Sequence, residues 1–286
     1  MKFISFVRLG KCGFGLLAED GIVDLTERLA PGLASLKALI AADMLQAAAS
    51  FARGRPADFA LSDVTLLPVV PDAGKILCVG LNYETHRAET KRPDNKHPTM
   101  FTRYADSQIA HGQPMLLPAV SDKLDFEGEM AVIIGRGGRC IPEEQALEHV
   151  AGYACYNDGT IRDWQRHTHQ FGPGKTFPGT GGFGPFMVTP DEVGNYSRLT
   201  IQTRLNGVVM QDATLADLIF PVERLIAYIS TYTPLSAGDV ILTGTPGGVG
   251  DRREPPLYMK VGDVIEVEIS RLGRLVNTVV AETALL

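Results

Sequence analysis

The chemistry in this chain gathers around acidic residues placed beside apolar runs. Glu127 and Glu129 stand two apart in Asp125-Phe126-Glu127-Gly128-Glu129, directly before the apolar run 130–134. That run reads as a strand entering a core. Residues two apart in a strand share a face, so the two carboxylates lie roughly 7 Å apart on one side. Two acids beside a buried run repel each other and lose hydration. A divalent cation resolves that conflict, and an all-oxygen donor set favours Mg²⁺, Mn²⁺ or Ca²⁺ over zinc. On spacing alone, a solvated strand edge fits the pair equally well. A third acid, Asp158, closes the apolar segment 153–160, where an Asn-Asp-Gly sequence also suits a plain turn. As a ligand, Asp158 would complete a three-carboxylate set. Arg162, Gln165 and Lys175 follow it and are all able to hold an anionic substrate, as surface-loop residues also could.

His86 and Glu89 lie in the polar segment 82–92, which Pro93 halts. In a helix they share a face at i, i+3. The carboxylate would then orient the imidazole and stabilise its protonated form, as a general base requires. A solvated His beside a Glu has the same spacing. His167-Thr168-His169 reads as polar loop rather than a metal pair. Gly179-Thr180-Gly181-Gly182-Phe183-Gly184 matches GxGxxG formally, but prolines flank it and no helix follows, so a dinucleotide site is rejected. Gly174-Lys175-Thr176 lacks the earlier glycine of a P-loop. The run 244–250 could cradle a carboxylate through its N–H groups and the Thr245 hydroxyl. No G-x-S-x-G occurs, and no cysteine sits in an activating context.

The elements that must position these residues are mostly strands. Residues 1–8, 15–19 and 21–25 read as strands, 33–51 as a helix, and 63–70 as a further strand ending at Pro71-Asp72-Ala73-Gly74. Those first 70 residues are expected to form a small separate N-terminal α+β domain, with residues 71–286 as the catalytic domain. Further strands are expected at 75–80, 199–205, 239–243, 264–269 and 275–281. Asn206-Gly207 signals a hairpin, and 221–232 has amphipathic helix spacing. Regular βαβ alternation is missing, so a mixed, β-rich α+β fold is expected rather than a doubly wound one. The 286 residues include 30 Gly and 18 Pro, a turn-rich composition. A net charge of −6 without a basic stripe argues against a nucleic-acid partner. No apolar stretch is long enough to span a membrane. Cys12, Cys78, Cys140 and Cys155 show no zinc or disulfide spacing and read as reduced, mostly buried thiols of a cytoplasmic protein.

In order, Gly80-Leu81-Asn82-Tyr83, His86, Glu89-Thr90, Asp125-Phe126-Glu127-Gly128-Glu129, Gly152-Tyr153, Asn157-Asp158, Arg162-Asp163, Gln165, Gly174-Lys175-Thr176-Phe177, Gly184-Pro185, Asn206-Gly207, the run 238–250 and Val261-Gly262-Asp263 resemble the fumarylacetoacetate hydrolase family. The combination covers about 75–286 and is far more specific than any one motif. The resemblance implies a β-sandwich roll preceded by a small variable domain, and a homodimer. It implies Mg²⁺ or Mn²⁺ (Ca²⁺ is also admissible) held by Glu127, Glu129 and Asp158. It implies a small 2-oxo or 2,4-dioxo acid substrate. Lys175 then contacts substrate, and Tyr83, Arg103, Arg162, Gln165 and Thr245 are expected substrate contacts. His86 and Glu89 resemble the lid dyad of the smaller members.

On that resemblance the expected reaction is hydrolysis of a C–C bond in an acylpyruvate-type acid. His86 deprotonates water, water attacks the distal carbonyl, and Lys175 meets the charge of the departing pyruvate enolate. A 2-oxo acid decarboxylase, a dienedioate isomerase and a non-catalytic binding member are the alternatives. The chain departs from the family at Arg103, where Lys is more usual, at Gly159-Thr160-Ile161, and in the loop 167–170. A forked donor at 103 suggests a different distal end for the substrate, such as a polar or hydroxylated tail.

Overall fold

A strand buried on both sides organises the molecule. In the computed structural model, which describes residues 1–91 and 96–282, every residue of the strand Gly128–Ile134 is buried. Its side chains alternate between two cores, as strand geometry requires. Met130, Val132 and Ile134 face one core, shared with Ile201, Val267 and Ile269 and with the helix Val222–Tyr232. Ala131 and Ile133 face the other, shared with Phe3, Phe14, Leu36 and Leu39. The central strand is thus the middle layer of a stack.

Among the described residues this strand belongs to an eleven-stranded sheet. Its main order is Ile22–Asp24, Lys11–Leu17, Lys2–Arg8, Gly181–Val188, Val150–Asp158, Gly128–Ile134, Val240–Leu242, Ile76–Gly80 and Thr99–Arg103, with Thr65–Leu66 and Gln108–Ile109 pairing off that path. A five-stranded sheet runs Val208–Thr214, Thr200–Leu205, Val264–Ile269, Gly273–Ala281, Met115–Leu117. Thr160–Ile161 pairs with Leu124–Asp125 in a separate ribbon. Among the described residues the fold is mixed and sheet-rich, with no closed barrel. At the hairpin, Asn206 and Gly207 both have positive φ (52° and 77°), the geometry a tight two-residue turn needs.

Residues 1–70 have a small apolar cluster around Ile4, Phe6 and Ile22, and they also share the second core of the central sheet. Lys2–Arg8 pairs antiparallel with Gly181–Val188, Lys2 opposite Val188 and Phe3 opposite Met187. The N-terminal helices cover one face of the central sheet, because that face would otherwise expose Ala131 and Ile133. The helix expected over 33–51 is two helices, Leu36–Ala41 and Leu45–Ala52, broken where Asp43 turns left-handed (φ 55°). The strand expected over 63–70 shrinks to Thr65–Leu66, since Pro68 and Pro71 remove donors from any ladder there. Cys78 and Cys155 are buried, whereas Cys12 and Cys140 are exposed, so only half the thiols lie inside.

Candidate active site

Antiparallel register assembles the acids. Gly128 faces Asn157, which sets Glu127 beside Asp158, and Asp158 N–H donates to the Glu127 carbonyl at 2.8 Å. Asn157 Oδ1 accepts from Glu127 N at 3.0 Å, holding the residue just ahead of the strand. The carboxylates of Glu127, Glu129 and Asp158 are all buried, and one oxygen of each lies within 4.8 Å of the others. Burial, together with the negative charges of Asp158 and Glu127, pushes the Glu129 carboxyl well above the usual range. Three crowded, desolvated carboxylates form a hard-oxygen donor set that a divalent cation fits.

Lys175 completes the floor. Its ammonium donates to Glu127 Oε2 at 2.6 Å and to Asp158 Oδ2 at 2.5 Å, and lies 5.0 Å from the Phe101 ring centroid. The residue ends the one-turn helix Gly172–Lys175, which packs directly on the helix Arg162–Gln165. Gly174 makes that contact possible, because a Cβ there would sit 2.5 Å from both N and Cβ of Gln165. Burial alone would raise the Glu127 carboxyl, but Lys175, Arg162 and His86 outweigh it and hold the group down at about 2. Arg162 lies between two acids: Nη1 is 2.7 Å from Glu127 Oε1, and Nε donates to Asp125 Oδ2 at 2.8 Å. Nη1 also donates to Gln165 Oε1 at 3.1 Å.

The roof is the helix Glu84–Thr90. His86 Nδ1 lies 2.6 Å from Glu89 Oε1, which leaves Nε2 as the basic ring nitrogen. Asn82 anchors the start of the roof, donating to Thr243 O (2.7 Å) and Phe220 O (3.0 Å) and accepting from Phe220 N (2.8 Å). The helix stops at Lys91, whose φ is 54°. Pro93, the expected stop, and Arg92 lie outside the described residues.

A cavity of about 610 Å³ opens between floor and roof. His86, Glu127, Glu129, Arg162, Gln165, Lys175 and Thr245 line it, with Phe101 and Phe171 on the apolar side. Its outer part is polar, formed by residues 166–169 with Asp251 and Arg252, and His167 and His169 are exposed there. Two expected substrate contacts are elsewhere. Tyr83 is buried with its hydroxyl unpartnered and does not line the cavity. Arg103 is buried behind Asp158, because an inward guanidinium beneath a carboxylate satisfies both groups.

The glycine run 244–250 does cradle carboxylates, but they are the chain's own. Gly244 N donates to Glu129 Oε2 (2.8 Å), Gly248 N to Glu89 Oε2 (2.9 Å) and Gly250 N to Asp125 Oδ1 (2.8 Å). Gly247 N donates to Thr85 Oγ1 (3.0 Å). Gly244 and Gly248 have φ of +96° and +104°, which turns these amides inward. The Thr245 hydroxyl donates to Gly128 O at 3.0 Å and accepts from Gln211 Nε2 at 2.8 Å. Gln211, Asp125 and Asn82 are supporting residues that local spacing does not single out. A buried Gln or Asp in a strand or turn becomes conspicuous only when its burial is known.

The fumarylacetoacetate hydrolase C-terminal family matches residues 75–280. An oxaloacetate tautomerase, mitochondrial, of Xenopus laevis is 40% identical over 221 residues, 77% of this chain and 69% of that one. The fumarylacetoacetate hydrolase of the psychrophile Exiguobacterium antarcticum shares the fold at TM-score 0.86 and 34% identity, covering 99% of this chain and 100% of that one. Maleylpyruvate hydrolase of Sphingobium sp. SYK-6, solved with manganese(II) and pyruvate, superposes at TM-score 0.83 and 27% identity with the same coverage. The chain belongs to the fumarylacetoacetate hydrolase family, whose members are hydrolases, isomerases and tautomerases.

Proposed function

We propose that this chain interconverts the keto and enol forms of a small 2-oxo dicarboxylic acid of the oxaloacetate type. The observation that carries the reading is the His86–Glu89 pair roofing a cavity lined by Lys175, Glu127 and Glu129, with the Asp158 carboxylate beside them. Glu127, Glu129 and Asp158 would hold Mg²⁺ or Mn²⁺, which supplies Lewis-acid polarisation of the substrate's 2-oxo and carboxylate oxygens. Arg162 and Gln165 line the cavity beside these acids and orient the bound anion. His86 Nε2 removes a proton from C3, and Glu89 stabilises the imidazolium through Nδ1. The Lys175 ammonium balances the negative charge that shifts onto the 2-oxygen. The proton then returns to that oxygen, giving the enol, and the reverse sequence restores the ketone. Phe101 and Phe171 keep bulk water from the reacting carbon.

A second reading, hydrolysis of the C3–C4 bond of a 2,4-dioxo acid, draws on cavity size. About 610 Å³ leaves space past a four-carbon acid for a water and a longer chain. His86 would then deprotonate that water. Decay of the enol absorbance of oxaloacetate, followed together with deuterium entry at C3 and product analysis, separates the readings. Enol loss with no pyruvate and no CO₂ is expected. Pyruvate plus a carboxylic acid from an acylpyruvate, without faster enol decay, would replace the tautomerase with the hydrolase. CO₂ release from oxaloacetate would make the chain a decarboxylase, and none of these reactions would remove the enzymatic reading altogether.

A further inference from the structure

From sequence, Arg103 is expected at the distal end of the substrate, but it does not line the cavity. It is 2% exposed and ends the strand Thr99–Arg103. Nη1 donates to Asp158 Oδ1 at 2.6 Å and to the Gly159 carbonyl at 2.9 Å. Nη2 donates to Thr180 Oγ1 at 2.8 Å, and Nε to Ser107 Oγ at 3.4 Å. The guanidinium therefore ties its own strand and the nearby Ser107 to two segments that are distant in sequence, at 158–159 and at Thr180. Space for it exists because residue 181 is glycine: a Cβ there would lie 3.0 Å from Nη2.

We propose that Arg103 is a positioning residue of the cation site, holding Asp158 in the one rotamer that offers Oδ2 to the cage. This rests on the reading of Glu127, Glu129 and Asp158 as ligands. With Oδ1 held by Arg103, Oδ2 is the oxygen that meets Lys175, and one Asp158 oxygen lies within 4.8 Å of the other two acids. The forked contact fixes direction as well as charge. A lysine would supply the charge as a point and could not also reach Gly159 and Thr180 with the same geometry. Outer partners of this kind orient ligands and tune affinity.

Arg103→Lys keeps the charge and removes the fork. Mn²⁺ titration of the metal-stripped full chain by calorimetry is expected to show affinity about 10- to 100-fold weaker than for the unaltered chain. With saturating Mn²⁺, KM for oxaloacetate stays within about twofold. Thr180→Val removes one partner of the guanidinium and should weaken Mn²⁺ in the same direction by about two- to tenfold. It decides the matter if Arg103→Lys does not fold. Unchanged Mn²⁺ affinity in the folded variants overturns the proposal, and so does a raised KM with unchanged Mn²⁺ affinity, which would return Arg103 to the substrate. Failure of the unaltered chain to bind Mn²⁺ would instead reject the cation site itself.

Discussion

The floor and the roof of the cavity are built by different means. The floor acids sit on or beside paired strands, all buried, with Glu127 and Asp158 each held by two basic side chains and Glu129 by the Gly244 amide. The roof is a seven-residue helix whose outer face is exposed, tied to the loop 244–250 through Thr85 and Glu89. A helix that short is marginal without such ties. Strand pairing holds the floor acids, whereas a few hydrogen bonds hold the roof. A cation site gains from a fixed cage, whereas a base that must admit and release substrate gains from a hinged mount.

That contrast is open to attack on both sides. The largest effect is expected at the floor. Glu129→Ala should lower Mn²⁺ affinity by more than the roughly 100-fold that a supporting residue costs, as calorimetry would read, and remove turnover with it. At the roof, His86→Gln should lower kcat by about 10²- to 10⁴-fold while Mn²⁺ affinity stays unchanged. If both variants lost metal, floor and roof would be one unit and the contrast would be wrong. Gly174→Ala introduces a Cβ against the backbone of Gln165 and so displaces Lys175. Melting curves should show a loss of about 1–3 kcal/mol, accompanied by reduced kcat. The smallest effect is expected at Thr85→Val, which removes the acceptor for Gly247 N. It should lower kcat/KM about two- to tenfold and leave the melting temperature nearly unchanged. A large stability loss there would show the roof to be as firmly built as the floor.

How much of the site was legible in sequence follows the distance over which its geometry is set. The His86–Glu89 contact depends on one helical turn, and the approach of Glu127 to Glu129 on two residues at the entry to a strand. Both are local, so spacing admits them, although a solvated strand edge and a solvated histidine fit the same spacing, and motif order was needed to choose. The place of Asp158 depends on the register between Gly128–Ile134 and Val150–Asp158, and motif order suggested it where periodicity could not. The direction of a side chain was the least legible feature. Arg103 and Tyr83 have suitable chemistry, but they point into the core rather than the cavity. Thr245 does line the cavity, but its hydroxyl is spent on Gly128 and Gln211.

The glycine run 244–250 shows the same division. Its composition marks a backbone that must approach something closely. Only the fold reveals that its amides serve Glu129, Glu89 and Asp125, linking floor, roof and the Arg162 support in one loop.

The sequence by itself determined the family, the sheet-rich fold, the acids and the histidine–glutamate pair. Those follow from residue type, short-range geometry and the order of motifs along the chain, all of which can be read without knowing which segments pair. Tertiary structure alone decided that residues 1–70 share the central core, that Arg103 backs Asp158, and that the glycine loop faces inward. Each of these rests on which distant segments pair, and pairing is settled by burying both faces of one central strand at once.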